Sequence, residues 1–193
     1  MRVIAGSLRG RYLRTDRDRK IRATSGYLKE VIFDVLRERV VGVTLLELFA
    51  GSGNVGIEAL SRGAERVVFV DNSPRSMRLV RSNLKAVGKE GQAVLMQLDA
   101  ERAIQKLASQ GWKFGLIFLD PPYQSRLLGP ILKRLSGSGL LERGGWIIAE
   151  HFHKEDLPAD LPHLARFRQI RHGQSILSFY EGNTDKVKAE RNT

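Results

Sequence analysis

Four consecutive residues, Asp120-Pro121-Pro122-Tyr123, combine a carboxylate, two rigid imino acids and an aromatic ring. This set suits methylation of an exocyclic amino group on a nucleic-acid base, a poor nucleophile because its lone pair is delocalised into the ring. The Asp120 carboxylate and the Pro121 carbonyl can accept hydrogen bonds from the amine, and prolines keep such a loop stiff. The Tyr123 ring offers a face for an extruded base. We therefore interpret Asp120, Pro121, Pro122 and Tyr123 as catalytic candidates; the alternative is a proline-rich turn capped by Asp120.

A glycine-rich turn, Gly51-Ser52-Gly53-Asn54-Val55-Gly56, follows an apolar segment and precedes a helical one. Its glycines allow a tight turn and a close approach of the backbone to a ligand at the helix N-terminus. Asp71 stands 20 residues after Gly51, at the end of the next predicted strand, where a carboxylate can accept both hydroxyls of a ribose. These features fit a dinucleotide site and an S-adenosylmethionine site equally well.

Two further acids favour S-adenosylmethionine as the cofactor. Glu47 precedes the glycine turn, where a carboxylate would repel a pyrophosphate but suit a ligand that carries an ammonium and a sulfonium. Asp99 follows the third predicted strand, in position to bind an adenine amino group or to cap the next helix, two roles that do not exclude each other. The full set of predicted cofactor contacts is Glu47, Phe49, Gly51, Gly53, Asp71, Asn72, Asp99 and Ala100.

Apolar strands and amphipathic helices alternate along most of the chain, which predicts a parallel sheet covered on both faces. The predicted strands are residues 44–49, 66–71, 93–97, 114–119 and 145–150, followed by a terminal hairpin of residues 164–171 and 175–180. A helix is expected from Thr24 or Ser25 to about Arg39. Because ligands bind at the carboxyl ends of parallel strands, the glycine turn and the Asp120 loop should share one cleft.

The first 22 residues hold eight basic and two acidic side chains, in a chain whose formal net charge is +11. Interleaved apolar residues predict a basic hairpin with a turn between Gly6 and Gly10, and such a charge favours nucleic acid as a partner. The predicted domains are this extension over residues 1–22, a catalytic domain over 23–182 and a polar tail over 183–193. The predicted nucleic-acid contacts are Arg2, Arg9, Arg11, Arg14, Arg22 and Thr24.

The composition removes several other classes of protein. The chain has no cysteine, which excludes disulfides, cysteine-based zinc sites and the cysteine nucleophile of cytosine-C5 methylation. His151 and His153 alternate without a further set of ligands, so no metal is expected. There is no apolar run of about 20 residues and no signal peptide at the N-terminus, so we expect a cytoplasmic protein that does not enter membranes.

Several of these segments together resemble the RsmD family of bacterial 16S ribosomal RNA guanine-N2 methyltransferases. The segments are Arg2-Val3-Ile4-Ala5-Gly6 through Gly10-Arg11, Arg22-Ala23-Thr24-Ser25, Leu48-Phe49-Ala50-Gly51-Ser52-Gly53, the segment from Gly56 to Ala64, and Asp120-Pro121-Pro122-Tyr123. The resemblance implies an α/β fold of the class I S-adenosylmethionine-dependent methyltransferases. That fold is a Rossmann-like seven-stranded sheet with its last strand antiparallel, here with a small basic N-terminal hairpin.

The resemblance also implies a cofactor, a substrate and site residues. The cofactor is S-adenosyl-L-methionine, and the substrate is 16S ribosomal RNA within an assembling small ribosomal subunit, methylated at guanine N2 by an enzyme expected to be a monomer. Glu47, Gly51, Gly53, Asp71 and Asp99 correspond to the family's cofactor contacts, and Asp120, Pro121 and Tyr123 to its catalytic residues.

Three alternative functions stay open from the sequence. The first is a DNA adenine-N6 methyltransferase, although the chain between Leu119 and Glu150 has no room for a target-recognition segment. The second is a nucleotide-binding module without catalysis. The third is a nicotinamide-dependent oxidoreductase, which Glu47 and the Asp120 loop disfavour.

Overall fold

The computed structural model describes residues 1–15, 26–122 and 125–182. Helices and strands alternate along these residues. The helices are α1 Gly26–Leu36, α2 Asn54–Ser61, α3 Pro74–Val87, α4 Ala100–Ser109 and α5 Leu128–Ser138. The strands are β1 Thr44–Leu48, β2 Arg66–Val70, β3 Ala93–Met96, β4 Phe114–Leu119, β5 Leu141–Phe152, β6 Asp160–Leu161, β7 Leu164–His172 and β8 Ser175–Gly182.

In the described part of the chain these strands form one sheet in the order β3-β2-β1-β4-β5-β8-β7-β6. Strands β1 to β5 are mutually parallel, whereas β8 runs antiparallel to both β5 and β7. This mostly parallel sheet with an antiparallel last strand confirms the predicted fold class. The seven expected strands are joined by one more, the two-residue β6, which pairs with the start of β7 at the sheet edge.

Both faces of the sheet are covered, as the alternating sequence predicted. Helices α1, α2 and α3 pack on one face around buried residues such as Ile32, Ile57 and Phe69. Helices α4 and α5 pack on the other face, around Ile104, Leu132 and their neighbours. Among the described helices, none combines the length and the apolar character that a membrane span requires.

Local sequence explains where several of these elements begin and end. Helix α3 begins with the Ser73 side chain accepting a hydrogen bond from the Ser76 N–H and ends at the left-handed Gly88. Helix α1 ends at Leu36 instead of the predicted Arg39, because Arg37 has a φ of 48° and opens a short 3-10 turn. Its predicted caps, Thr24 and Ser25, lie outside the described residues. Strand β5 exceeds the predicted range 145–150 because Leu141 also pairs with Phe114, across a register shift.

Residues 1–13 fold back on themselves and pack against α2. The expected pair of strands is reduced to one antiparallel bridge between Arg2 and Tyr12, but Val3 and Leu13 are buried in the core. Gly6 has a φ of 82°, and a Cβ on it would lie 1.9 Å from the Ser61 carbonyl oxygen. Only glycine therefore lets this turn contact α2. Residues 16–22 and 183–193 lie outside the described part, so the predicted domain limits stay predictions.

A buried carboxylate joins this hairpin to two helices. The Glu58 oxygens accept hydrogen bonds from the Ile4 N–H at 2.8 Å and the Ala5 N–H at 3.0 Å. Lys29 Nζ and Arg62 Nε each lie 2.9 Å from the same carboxylate, and the Lys29 and Glu58 side chains are fully buried. Burial alone would raise the pKa of Glu58, but these donors hold it below its ordinary value.

The stability losses from removing the two charges of the buried Lys29–Glu58 pair should not add. We expect Glu58→Gln to lower the free energy of unfolding by about 3–5 kcal/mol, because it leaves the buried Lys29 ammonium without its counter-ion. Lys29→Met should cost less, since Arg62 still pairs with Glu58. The double variant should cost clearly less than the sum of the two. Urea unfolding of the four proteins measures this coupling, and strictly additive losses would contradict a buried ion pair.

Candidate active site

The glycine turn leaves β1 through an uncommon backbone conformation. Phe49, Gly51 and Gly53 have φ values of 61°, 54° and 72°, in the left-handed region that favours glycine. The Ala50 N–H donates to the Val70 carbonyl at 3.0 Å, which ties the turn to the end of β2. Phe49 adopts this conformation without being glycine, and such strain is concentrated at functional sites.

Gly56 allows α2 to pack directly on the sheet. A Cβ at this position would lie 2.4 Å from Phe69 Cε1 and 2.6 Å from Glu47 Oε2. The third glycine of the motif is thus required by helix–strand packing, whereas the first two shape the turn.

Glu47 lies beneath the turn with only 3% of its surface exposed. Its Oε2 accepts a hydrogen bond from the Gly56 N–H at 3.0 Å, in the first turn of α2. Burial raises the pKa of Glu47 to about 8, although hydrogen bonds from the Gly56 and Val55 N–H groups oppose this shift. Glu47 therefore supports the turn from below, and its direct contact with a cofactor stays a prediction.

Asp71 follows β2 and is oriented by two backbone donors. Its Oδ2 accepts the Gly51 N–H and its Oδ1 accepts the Ser73 N–H, both at 2.9 Å. A carboxylate has about four acceptor positions, so each oxygen can accept one more hydrogen bond. The pair of oxygens is held in place to receive two ligand hydroxyls.

A pocket of about 340 Å³ opens beside this carboxylate at the carboxyl edge of the sheet. It has apolar walls and several polar groups, as small-molecule sites do. Its lining residues are Phe49, Val70, Asp71, Asn72, Leu98, Asp99, Ala100, Glu101, Leu127 and Ile131. Five of the eight predicted cofactor residues are in this lining, and Glu47, Gly51 and Gly53 are not.

The position of Asp99 is compatible with both of its predicted roles, helix capping and contact with a ligand. Its Oδ1 accepts the Arg102 N–H at 2.9 Å and so caps α4, and its Oδ2 lies 3.4 Å from Arg102 Nε. The side chain is nevertheless about half exposed and faces the pocket. Capping therefore leaves it able to contact a ligand.

The Asp120 loop begins at the same level of the sheet as the glycine turn. Leu48, the last residue of β1, pairs with Leu119, the last residue of β4. Neighbouring strands are about 4.8 Å apart, so the two loops start side by side. Asp120 is half-buried, Pro121 is buried, and the exposed Pro122 accepts the Ser125 N–H through its carbonyl at 3.2 Å. Tyr123 lies outside the described residues.

The predicted nucleic-acid contacts are spread along the N-terminal hairpin. Arg2, Arg9, Arg11 and Arg14 are all exposed. Arg9 lies in the turn that contacts the C-terminal end of α2, at the opposite sheet edge from the pocket, so the structure does not bring it to the site. Arg22 and Thr24 lie outside the described residues.

Several residues that were not predicted from the sequence also shape the site. Leu127 and Ile131 reach the pocket from around α5, far along the chain from the glycine turn. Asn83, fully buried in α3, donates to the Ser52 carbonyl at 2.9 Å and exchanges two hydrogen bonds with the Arg14 backbone. No pattern in the sequence marks these residues, because each acts through a partner that folding brings to it.

Of the two histidines considered as metal ligands, His151 is hydrogen-bonded within the sheet and His153 is hydrogen-bonded just beyond the end of β5. His151 Nε2 lies 2.8 Å from Ser178 Oγ, and His153 Nδ1 lies 3.3 Å from the Gln174 carbonyl oxygen. In the residues that the structure describes, no group of three or more histidine, aspartate or glutamate side chains could hold a metal ion.

Substitution of Gly56 should disturb the glycine turn. We expect Gly56→Ala to lower the free energy of unfolding by about 1–3 kcal/mol, because the new Cβ collides with Phe69 and Glu47. Gly129→Ala is the matched control, since Gly129 lies in helix α5 with open space around its Cβ position. Alanine is the better helix former by up to about 1 kcal/mol, so this control should be as stable as the parent or more so. Thermal and urea unfolding measure both, and equal stability of the Gly56→Ala variant would contradict the packing.

The buried Glu47 should make stability fall as pH rises. Since its folded pKa is about 8 and its ordinary value is 4.5, its contribution is fully present below pH 4.5 and is lost as pH rises through about 8. Each pKa unit corresponds to about 1.4 kcal/mol. Between pH 5 and 8.5, wild type should therefore lose more unfolding free energy than Glu47→Gln, which keeps an acceptor for Gly56. Parallel pH profiles of the two proteins would refute the elevated pKa.

Known proteins match this chain along almost its whole length. A family model described as conserved hypothetical protein 95 matches residues 1–181. YlbH of Bacillus subtilis, described as a candidate rRNA methyltransferase, is 39% identical over 181 residues, which cover 94% of this chain and 98% of YlbH. The ribosomal RNA small subunit methyltransferase D of Escherichia coli is 29% identical over 181 residues, covering 94% of this chain and 89% of that protein.

A solved structure supports the same relationship. The structure of a hypothetical protein from Thermus thermophilus matches with a TM-score of 0.82 and 30% identity, covering 94% of this chain and 99% of that one. The family model and the relatives therefore agree with the motifs. The chain belongs to the family described as conserved hypothetical protein 95, which is the RsmD family that its sequence resembles.

Proposed function

We propose that this protein is an S-adenosylmethionine-dependent RNA methyltransferase that modifies the exocyclic N2 of a guanine in 16S ribosomal RNA. The observation that carries the proposal is the paired register of Leu48 and Leu119, from which the glycine turn and Asp120 begin side by side. The pocket and the loop Asp120-Pro121-Pro122-Tyr123, called the acceptor loop for its carboxylate and carbonyl oxygens, would together form one cleft. Family membership and the names of the relatives support RNA as the substrate.

The pocket fits the adenosine portion of S-adenosylmethionine. Phe49, Leu98 and Ile131 form apolar walls for a planar base. Asp71 would accept the ribose hydroxyls, and Asp99 would accept an adenine amino group. When bound, this cofactor supplies an electrophilic methyl group carried on a sulfonium. A cation in the cleft would also favour the ionised form of the Glu47 carboxyl beneath the turn.

The acceptor loop would act mainly by positioning the amine. Asp120 and the Pro121 carbonyl would accept the two amine hydrogens and turn the nitrogen lone pair out of conjugation with the ring. Positioning of this kind can supply most of the rate. An ordinary aspartate is too weak a base to deprotonate a neutral amine, so Asp120 would take a proton only after the nitrogen has become cationic. Tyr123 would supply a stacking face for the base.

Guanine N2 and the small subunit are the finer parts of the proposal. The Escherichia coli relative is named a small subunit methyltransferase, and the formal charge of +11 suits a polyanionic substrate. We propose 16S ribosomal RNA within an assembling small subunit as the substrate, modified in the cytoplasm by a monomeric enzyme.

The role of Asp120 is tested by methyl transfer from labelled S-adenosylmethionine. The substrates are small ribosomal subunits lacking base methylation, free 16S RNA and duplex DNA, followed by nucleoside analysis. We expect label in N2-methylguanosine from a ribosomal substrate, and a loss of about a hundredfold or more in rate for Asp120→Ala. Cofactor affinity should stay unchanged.

Asp160→Asn is the control for this experiment, because it removes a carboxylate at the far edge of the sheet, away from the cleft. It should methylate at the wild-type rate. Label in DNA adenine, or an Asp120→Ala variant as active as wild type, would contradict the proposed function.

A further inference from the structure

An exposed aromatic pair lies outside the pocket and the acceptor loop. The rings of Tyr27, at the start of α1, and His172, at the end of β7, stack with centroids 4.0 Å apart and planes at 28°. Tyr27 is 55% exposed, the exposure expected when one ring face is covered and the other is open. His172 is also exposed.

This pair is not needed to hold α1 on the sheet. Leu28, Ile32, Phe33 and Leu36 anchor that helix, and each of them is at most 2% exposed. Stacking one exposed ring on another adds about 1 kcal/mol to such a contact. The stacked pair is therefore not required to anchor α1, which leaves the exposed part of Tyr27 available for a ligand.

The strand registers put this pair at the edge of the sheet where Asp120 lies. Strand β5 runs parallel to β4 and continues three residues past Ala149, the partner of Leu119. Its last residue, Phe152, pairs with Ser175, which in turn pairs with His172. The β7–β8 turn therefore rises above the level at which the acceptor loop begins.

The pair is displaced from Asp120 toward the side away from the cofactor pocket. Strand β7 lies three strands from β4, through β5 and β8, which is about 14 Å at the usual spacing of about 4.8 Å. The pocket lies on the other side of β4, at the carboxyl ends of β1, β2 and β3. This distance exceeds one stacked nucleotide step of about 3.4 Å. A base on Tyr27 would thus be a neighbour of the methylated nucleotide and not that nucleotide itself.

Cationic groups flank the pair at the same turn. Arg171 is exposed and donates through Nε to the Gly173 carbonyl at 3.3 Å. Lys154 is exposed and follows His153, whose N–H donates to the Gln174 carbonyl at 2.8 Å. Glu30 and Glu155 are the nearest carboxylates along α1 and along the loop after β5. Open aromatic faces next to positive charges are how proteins hold single-stranded nucleic acid.

We propose that the stacked Tyr27 and His172 rings form a platform for an unpaired RNA base that flanks the methylated nucleotide, with Arg171 and Lys154 facing its phosphates. This inference rests on the proposed function for the identity of the target RNA. It adds a substrate-binding surface on the far side of Asp120 from the cofactor.

Two substitutions at Tyr27 separate stacking from packing. Tyr27→Leu keeps apolar bulk but removes the aromatic face, whereas Tyr27→Trp keeps a face. We expect Tyr27→Leu to bind a fluorescein-labelled 12-residue oligouridylate, and 16S RNA, about tenfold more weakly than wild type, with Tyr27→Trp close to wild type. Fluorescence anisotropy at constant salt measures both affinities. The affinity for S-adenosylmethionine should be unchanged in both variants, and Tyr27→Leu should lose no more unfolding free energy than the about 1 kcal/mol of the stack.

A crosslink gives a second, independent readout. Oligouridylate carrying 5-iodouridine should crosslink to Tyr27 in the wild-type protein on irradiation, and mass spectrometry identifies the modified peptide. Wild-type RNA affinity in Tyr27→Leu, or a loss accompanied by an equal loss of cofactor affinity and thermal stability, would overturn the platform. Crosslinking elsewhere on the protein with none at Tyr27 would overturn it as well.

The test of the Tyr27 platform and the test of the proposed methyl transfer can succeed or fail independently. If RNA binding depends on Tyr27 but the wild-type protein transfers no methyl group to RNA, the platform stands and the proposed reaction fails. If wild type and Tyr27→Leu methylate and bind ribosomal RNA equally well, the reaction stands and the platform fails.

Discussion

The parallel pairing of β1 with β2 and β4 is the constraint on which the site depends. Leu48 is level with Val70 on one side and with Leu119 on the other. The three adjacent strands therefore end at the same level of the sheet, and they are followed by the glycine turn, Asp71 and Asp120. A slip of one residue in either pairing would turn the side chains of the slipped strand to the opposite face and bury the wrong set. The apolar content of these strands thus fixes the geometry of a polar site.

A second constraint comes from the charges buried beneath the site. Glu58 and Lys29 are both fully buried, and Lys29 donates to the Arg2 carbonyl, to Asn54 Oδ1 and to Glu58, so each hydrogen of its ammonium has an acceptor. Buried ion pairs add little net stability compared with apolar packing, but they permit few alternative arrangements. Here the pair fixes the hairpin, α1 and the first turn of α2 relative to one another. Asn83 extends this link to the glycine turn through Ser52.

The distribution of charge is uneven in a way that suits two different ligands. The chain as a whole carries a formal charge of +11, yet carboxylates gather at or beneath the carboxyl edge of the sheet, among them Glu47, Asp71, Asp99 and Asp120. An acidic cleft in a basic surface accommodates a small cationic ligand within a protein that attracts polyanions. The β7–β8 turn, with its exposed cations, lies at the same sheet edge as that cleft, where an RNA strand entering the cleft would meet it.

The sequence by itself determined the order of elements, the fold class and the family. These follow from local signals: alternating apolar segments, a glycine motif with an acid 20 residues later, and a proline-rich loop after the fourth strand. Five of the eight predicted cofactor residues line the pocket for the same reason, since each lies within four residues after a strand whose end is easily recognised.

Only the tertiary structure decided what those residues meet. Glu47 is buried under the turn because α2 packs over it. The residue types next to Glu47 in the sequence do not indicate this burial. Leu127 and Ile131 close a pocket whose other wall is about 50 to 80 residues earlier in the chain. Asn83 and the stacked Tyr27 and His172 likewise depend on partners more than 30 residues away. Such contacts arise from packing between distant segments, and a pattern of neighbouring residue types cannot encode them.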